Sequence, residues 1–216
     1  MAEHMGGAEK VARQHSRGKM DARARLAALV DPGSFREIGK IAGRATYDAD
    51  GALLDLAASN FIFGRANING RPVVASADDF TVRGGAADAA LHRKFVQCEA
   101  MAHEMQLPLI RMIDGTGGGG SVKTLEDMGY THIPHVPGWD HIITNLDTVP
   151  VVALSLGPTA GLGAARVVAS HYSVMVRGLS QLFAAGPAVA AAIGDTLDRA
   201  ELGGVAVHAR NGAVDE

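Results

Sequence analysis

The sequence predicts an α/β fold assembled from repeated strand–strand–helix units, and three observations carry that prediction. Residues 108–114 (PLIRMID) and 149–156 (VPVVALSL) are apolar runs with the length and β-branched content of fully buried strands. Each runs straight into a glycine-rich turn, 115–120 (GTGGGG) and 157–163 (GPTAGLG), the pattern of successive parallel strands that end in tight turns. Asn69-Gly70 separates strand-like segments at 60–66 and 71–77 and predicts a hairpin, so the sheet begins with antiparallel pairs.

At 216 residues and 47% hydrophobic content the chain can bury one substantial core. A formal charge of −3 with both signs scattered gives no footprint for nucleic acid or an anionic membrane. The single cysteine, Cys98, excludes an internal disulfide framework and points to the cytoplasm. Residues 1–10 contain no apolar signal region, and the apolar runs are too short and too interrupted by glycine to span a bilayer.

Residues 8–31 read as a helix that firms up at the N-cap Asp21, carries Leu26, Leu29 and Val30 on one stripe, and stops at Asp31-Pro32-Gly33-Ser34. Its basic residues Arg13, Arg17, Lys19, Arg23 and Arg25 read as a solvated face; the competing reading is a docking surface for the phosphates of a nucleotide-bearing ligand. A strand is expected at 35–38, an irregular loop at 79–85 and a helix at 87–106. On that helix Leu91, Phe95, Cys98, Ala102 and Met105 share a face, which makes Cys98 a core residue and not a nucleophile. His132, His135 and His141 invite a metal reading. No Asp, Glu or Cys stands at a tight ligand spacing among them, and the proline-rich run is read as a loop over an active site. A short helix at 164–170, strands at 172–176 and 181–184 and a helix opening at Pro187 complete the chain.

Residues 115–120 also satisfy GxGxxG formally, but hairpins and a helix precede them where a dinucleotide fold would start, and Ser121 replaces the lysine of a P-loop. The chain has no GxSxG elbow and no HExxH. What remains is the second glycine turn, where free N–H groups at a helix start would gather the negative charge of an enolate oxygen. A tight turn that only packs a helix closely on a sheet accounts for the same residues.

Several segments together resemble one family. They are Gly18-Lys19-Met20-Asp21-Ala22-Arg23-Ala24-Arg25-Leu26, Asp79-Phe80-Thr81-Val82-Arg83-Gly84-Gly85 with His92 and Lys94, Leu107 to Asp114, Gly157-Pro158-Thr159-Ala160-Gly161, Met175-Val176-Arg177-Gly178, and Leu202-Gly203-Gly204 with His208. In order and spacing they are similar to the carboxyltransferase (β) subunits of biotin-dependent acyl-CoA carboxylases of the propionyl-CoA, methylcrotonyl-CoA and geranyl-CoA type.

That resemblance implies a crotonase-like superhelix of ββα units. After an N-terminal helical segment (1–34), residues 35–216 would form one incomplete lobe. It implies transfer of a carboxyl group from carboxybiotin to the α-carbon of an acyl-CoA, the biotin nitrogen taking the α-proton, with no metal in this chain. The backbone amides of Gly161 and Leu162, with Gly163 adjacent, would hold the thioester oxygen, and Gly117, Gly118, Gly119, Ala160, Arg83 and Lys94 would contact substrate. A biotin carboxylase and biotin carrier subunit are the implied partners, and the assembly would be a homo-oligomer. Two departures stand out: the family's Asp-Ser-Gly-Gly-Ala-Arg reads Asp114-Gly115-Thr116-Gly117-Gly118-Gly119, which bears on acyl-group specificity, and its adjacent Gly-Gly reads Gly161-Leu162. The lobe would hold the CoA side and need a second lobe for the biotin side, so the isolated chain is expected to be inactive. An acyl-CoA decarboxylase component shares the same motifs, and a non-catalytic assembly lobe is the third reading.

Overall fold

Successive side chains of a β-strand point to opposite faces, and this alternation decides how the chain is layered. The computed structural model describes residues 2–86, 92–115, 126, 129, 138–194 and 196–216. The strands are β1 (Arg36–Glu37), β2 (Gly43–Tyr47), β3 (Leu53–Ala58), β4 (Phe61–Ile68), β5 (Arg71–Asp78), β6 (Leu109–Ile113), β7 (Val151–Ser155), β8 (Pro158–Ala160), β9 (Tyr172–Met175) and β10 (Gln181–Phe183). The helices are α1 (Ala8–His15), α2 (Ala22–Leu29), α3 (His92–Met105), α4 (Trp139–Thr148), α5 (Leu162–Val168), α6 (Pro187–Ala192), α7 (Arg199–Gly203) and α8 (Val205–Asn211).

The main sheet has the order β1-β4-β5-β6-β7-β9. β1, β4 and β5 pair antiparallel, whereas β5, β6, β7 and β9 run parallel. The expected switch from hairpin to parallel strands is therefore present. Asn69 and Gly70 take φ of 50° and 75°, the left-handed pair that a two-residue hairpin turn requires, and the Asp31 carboxylate accepts both of their N–H groups at 2.8 Å. Phe61, Phe63, Val74, Leu109 and Val151 pack on one face against Cys98 and Ala102 of α3. Ile62, Ala75, Ala77 and Met112 pack on the other against Ala22 and Leu26 of α2. Cys98 is buried in this core, and burial raises its thiol pKa well above the usual range, in keeping with a packing role.

Besides α4, α7 and α8, which form where no element was expected, three features differ from the sequence reading. The helix expected at 8–31 is two helices, broken where Gly18 takes a φ of 71°; the Gln14 amide donates to the Met20 carbonyl at 3.0 Å, and the Asp21 carboxylate caps α2 at Ala24 N. β2 and β3 form a separate hairpin that carries no sequence signal, because Leu53 and Leu54 are both exposed and no apolar alternation marks a buried face. β8 is a three-residue strand inside the second glycine turn, pairing parallel with β10. The predicted loop at 130–137, with His132 and His135, lies outside the described residues.

Candidate active site

β6 delivers Asp114 to the interior at the start of the first glycine run. The carboxylate is fully buried and meets Lys19 Nζ at 2.8 Å and an Arg25 guanidinium nitrogen at 2.8 Å. A second Arg25 nitrogen donates to the Leu156 carbonyl at 3.0 Å, so α2 is tied to the ends of both β6 and β7. Burial pushes the Asp114 carboxyl up and the Lys19 ammonium down, each opposed by the partner. Two charge-assisted hydrogen bonds at this distance hold the group as a carboxylate between cations. A Cβ at Gly157 would overlap this carboxylate, which explains glycine as the first residue of the second turn. Lys19 and Arg25 therefore do not decorate a solvated face; both are buried and paired with Asp114.

The two glycine turns meet. A Cβ at Gly85 would stand 2.7 Å from the Gly115 Cα, and the Ala160 N–H donates to the Gly115 carbonyl at 3.3 Å. Gly161 then takes φ 58° and ψ −124°, a conformation of glycine turns that a side chain disfavours, and it turns the chain into α5. Its own N–H donates to the Phe183 carbonyl at 2.9 Å, continuing the β8–β10 ladder. This amide is thus committed within the protein. The first-turn N–H groups of α5, those of Leu162, Gly163 and Ala164, have no intrahelical acceptor, and no side chain among the described residues caps them.

α5 is held along its length. Arg166 lies over the rings of Phe95 at 4.9 Å and Phe61 at 5.4 Å, and reaches Asp78 at 3.3 Å. At its far end the Arg111 guanidinium donates to the Arg166 and Ala169 carbonyls at 3.2 and 2.6 Å. Arg111 is fully buried, paired through two nitrogens with Glu99, which in turn accepts from Asn145. A cation at a helix C-terminus and free amides at its N-terminus match the helix dipole.

The other expected contacts are dispersed. Arg83, at φ 52°, is exposed beside α1. Lys94 is buried in a separate small pocket with Arg23, Glu37 and Asp79, where burial holds its ammonium low and Glu37 opposes the shift. Gly117, Gly118 and Gly119 lie outside the described residues. The Asp114–Lys19–Arg25 set escaped sequence reasoning; its one signal is an acid ending a buried apolar strand, which requires cations from elsewhere in the chain. No cluster of three or more metal-ligating side chains occurs among the described residues.

Comparison with known proteins decides the family, since the model described as the carboxyl transferase domain matches residues 13–216. The chain belongs to the carboxyl transferase family. It is 31% identical over 208 residues to methylmalonyl-CoA decarboxylase subunit alpha of Veillonella parvula, covering 94% of this chain and 39% of that one. It is 33% identical over 205 residues to the mitochondrial methylcrotonoyl-CoA carboxylase beta chain of Arabidopsis thaliana, covering 94% and 34%. Among solved structures, transcarboxylase 12S with methylmalonyl-CoA and methylmalonic acid bound superposes with a TM-score of 0.80 at 30% identity, over 99% of this chain and 41% of that one. The carboxyl transferase chain thus spans about two fifths of the proteins it matches and shares their crotonase-like fold.

Proposed function

We propose that this chain is the acyl-CoA side of a biotin-dependent carboxyltransferase, and that the Leu162 and Gly163 N–H groups receive the thioester oxygen as it becomes an enolate. The observation that supports this reading is the Gly161 bend: its own amide is spent on Phe183, while the next two amides, at a helix start, have no acceptor among the described residues. As the α-carbon loses its proton, charge moves onto the oxygen. Two donors fixed in advance stabilise that charge without reorganising, and at about 3 kcal/mol each they account for about four orders of magnitude in rate. Carboxybiotin on a carrier partner is the carboxyl donor in this reading, and a second lobe supplies its pocket. The decarboxylase relative favours a second reading, in which the same enolate is formed by loss of carboxylate.

A CoA thioether bearing a nitronate, an analogue of the enolate, tests the proposal by calorimetry on the full chain. The nitronate is expected to bind at least about tenfold more tightly than the corresponding acyl-CoA, because the amides match the charged oxygen better than the neutral one. Equal affinities would remove the proposed role, and no binding of either would favour an assembly lobe.

A further inference from the structure

We propose that His103 and His141 together bind one divalent cation of the zinc class, which clamps α3 to α4. The two rings come from different helices, and their centres lie 5.7 Å apart with a tilt of 42° between them. Zinc–nitrogen bonds of about 2.0–2.1 Å to two imidazoles place the ring centres about 5–6.5 Å apart. Both residues are half-buried, so water can reach the ion and complete its coordination. A pair of imidazoles selects a borderline cation over magnesium or calcium, which take oxygen ligands. With two protein ligands the ion is exchangeable, unlike the closed four-ligand centres of structural zinc. None of this uses the acyl-CoA reading.

The sequence builds the seam between the helices. α3 carries Val96, Glu99 and His103 at steps of three and four, and α4 carries His141, Asn145 and Thr148 at steps of four and three, one stripe on each helix. The stripes are joined rung by rung. Gly138, the N-cap of α4, lies so close to Val96 that a Cβ there would stand 3.0 Å from its side chain. The Asn145 amide donates to the Glu99 carbonyl and carboxylate at 3.0 and 3.1 Å, and His103 Nδ1 meets Thr148 Oγ1 at 3.3 Å. The two rings are therefore held on fixed elements before any ion arrives.

Thr148 also decides which nitrogen His103 presents. Its hydroxyl proton is turned to the Thr144 carbonyl at 3.0 Å, so toward His103 the oxygen acts as an acceptor. His103 then carries its proton on Nδ1 and leaves Nε2 as a bare lone pair. One nitrogen donating to a neighbour while the other ligates is the arrangement that orients metal-binding histidines. Neither His103 Nε2 nor the ring of His141 has a hydrogen-bond partner among the described residues. His171 is the contrast, both of its nitrogens being engaged, with the Val151 N–H and the Leu146 carbonyl.

The test titrates the full chain with Zn²⁺, and with Mg²⁺ as the comparison ion. Wild type is expected to shift the ring-proton resonances of His103 and His141 together as Zn²⁺ is added, and to melt several degrees higher at about a hundredfold excess over Kd. His103→Gln and His141→Gln should each weaken Zn²⁺ binding by about tenfold or more, while melting like wild type without the ion. Thr148→Val keeps the side chain's shape but drops the hydroxyl that orients His103, and should weaken binding by about tenfold. His15→Gln, at a histidine paired with Asp21, should leave it unchanged. Undiminished Zn²⁺ binding in both histidine variants would place the ion elsewhere and overturn the proposal. Movement of only one of the two rings, Mg²⁺ binding as tight as Zn²⁺, or no Zn²⁺ binding by wild type at millimolar ion would overturn it equally.

Discussion

Replacing Asp114 with asparagine is expected to destabilise the chain by about 3–5 kcal/mol, because the substitution leaves the buried Lys19 and Arg25 charges without their shared counter-charge. The side chain keeps its shape, so the loss is electrostatic and not a cavity effect. Urea unfolding checks the figure, and a change below about 1 kcal/mol would mean that water or another acid neutralises the pair. Lys19→Met/Arg25→Met in the Asp114→Asn background should recover part of the loss, since removing a whole buried ionic set costs less than breaking it. Binding is expected to weaken with stability, because Gly157, the first residue of the second glycine turn, is positioned against this carboxylate.

Gly161→Ala carries the largest expected effect on the chemistry. At φ 58° and ψ −124° a Cβ costs about 1–3 kcal/mol of backbone strain, which the chain would relieve by turning the peptide and re-aiming the Leu162 and Gly163 amides. Loss of an oxyanion donor is worth about 10²–10³ in rate, and nitronate affinity should fall by a comparable factor. Affinity for free CoA should hold, since free CoA carries no thioester oxygen for these amides to receive. Parallel loss of both affinities would point to general collapse, and retention of both would mean that the bend does not aim the donors.

Much of the frame was legible in sequence because it depends on local rules. The runs ending at Asp114 and Leu156 are apolar apart from Arg111 and Ser155 because β6 and β7 are interior strands covered on both faces. Asn69-Gly70 and the Asp21 cap announce themselves because few residues tolerate those backbone states. The site was legible only in outline. Gly161 is a glycine for its conformation and not for its amide, and only the pairing of β8 with β10, some twenty residues away, reveals that the amide is taken. The burial of Lys19 and Arg25 was equally hidden, because a basic helix looks solvated until its distant acid is known. The β2–β3 hairpin left no pattern, having no apolar face to bury.

The most direct measurement is of the amide resonances of Gly161, Leu162 and Gly163 in the full chain as the nitronate analogue is added. The account predicts large downfield proton shifts at Leu162 and Gly163, as new acceptors reach them, and little change at Gly161, already bonded to Phe183. Saturating analogue that leaves Leu162 and Gly163 unmoved, or that shifts Gly161 instead, would contradict it.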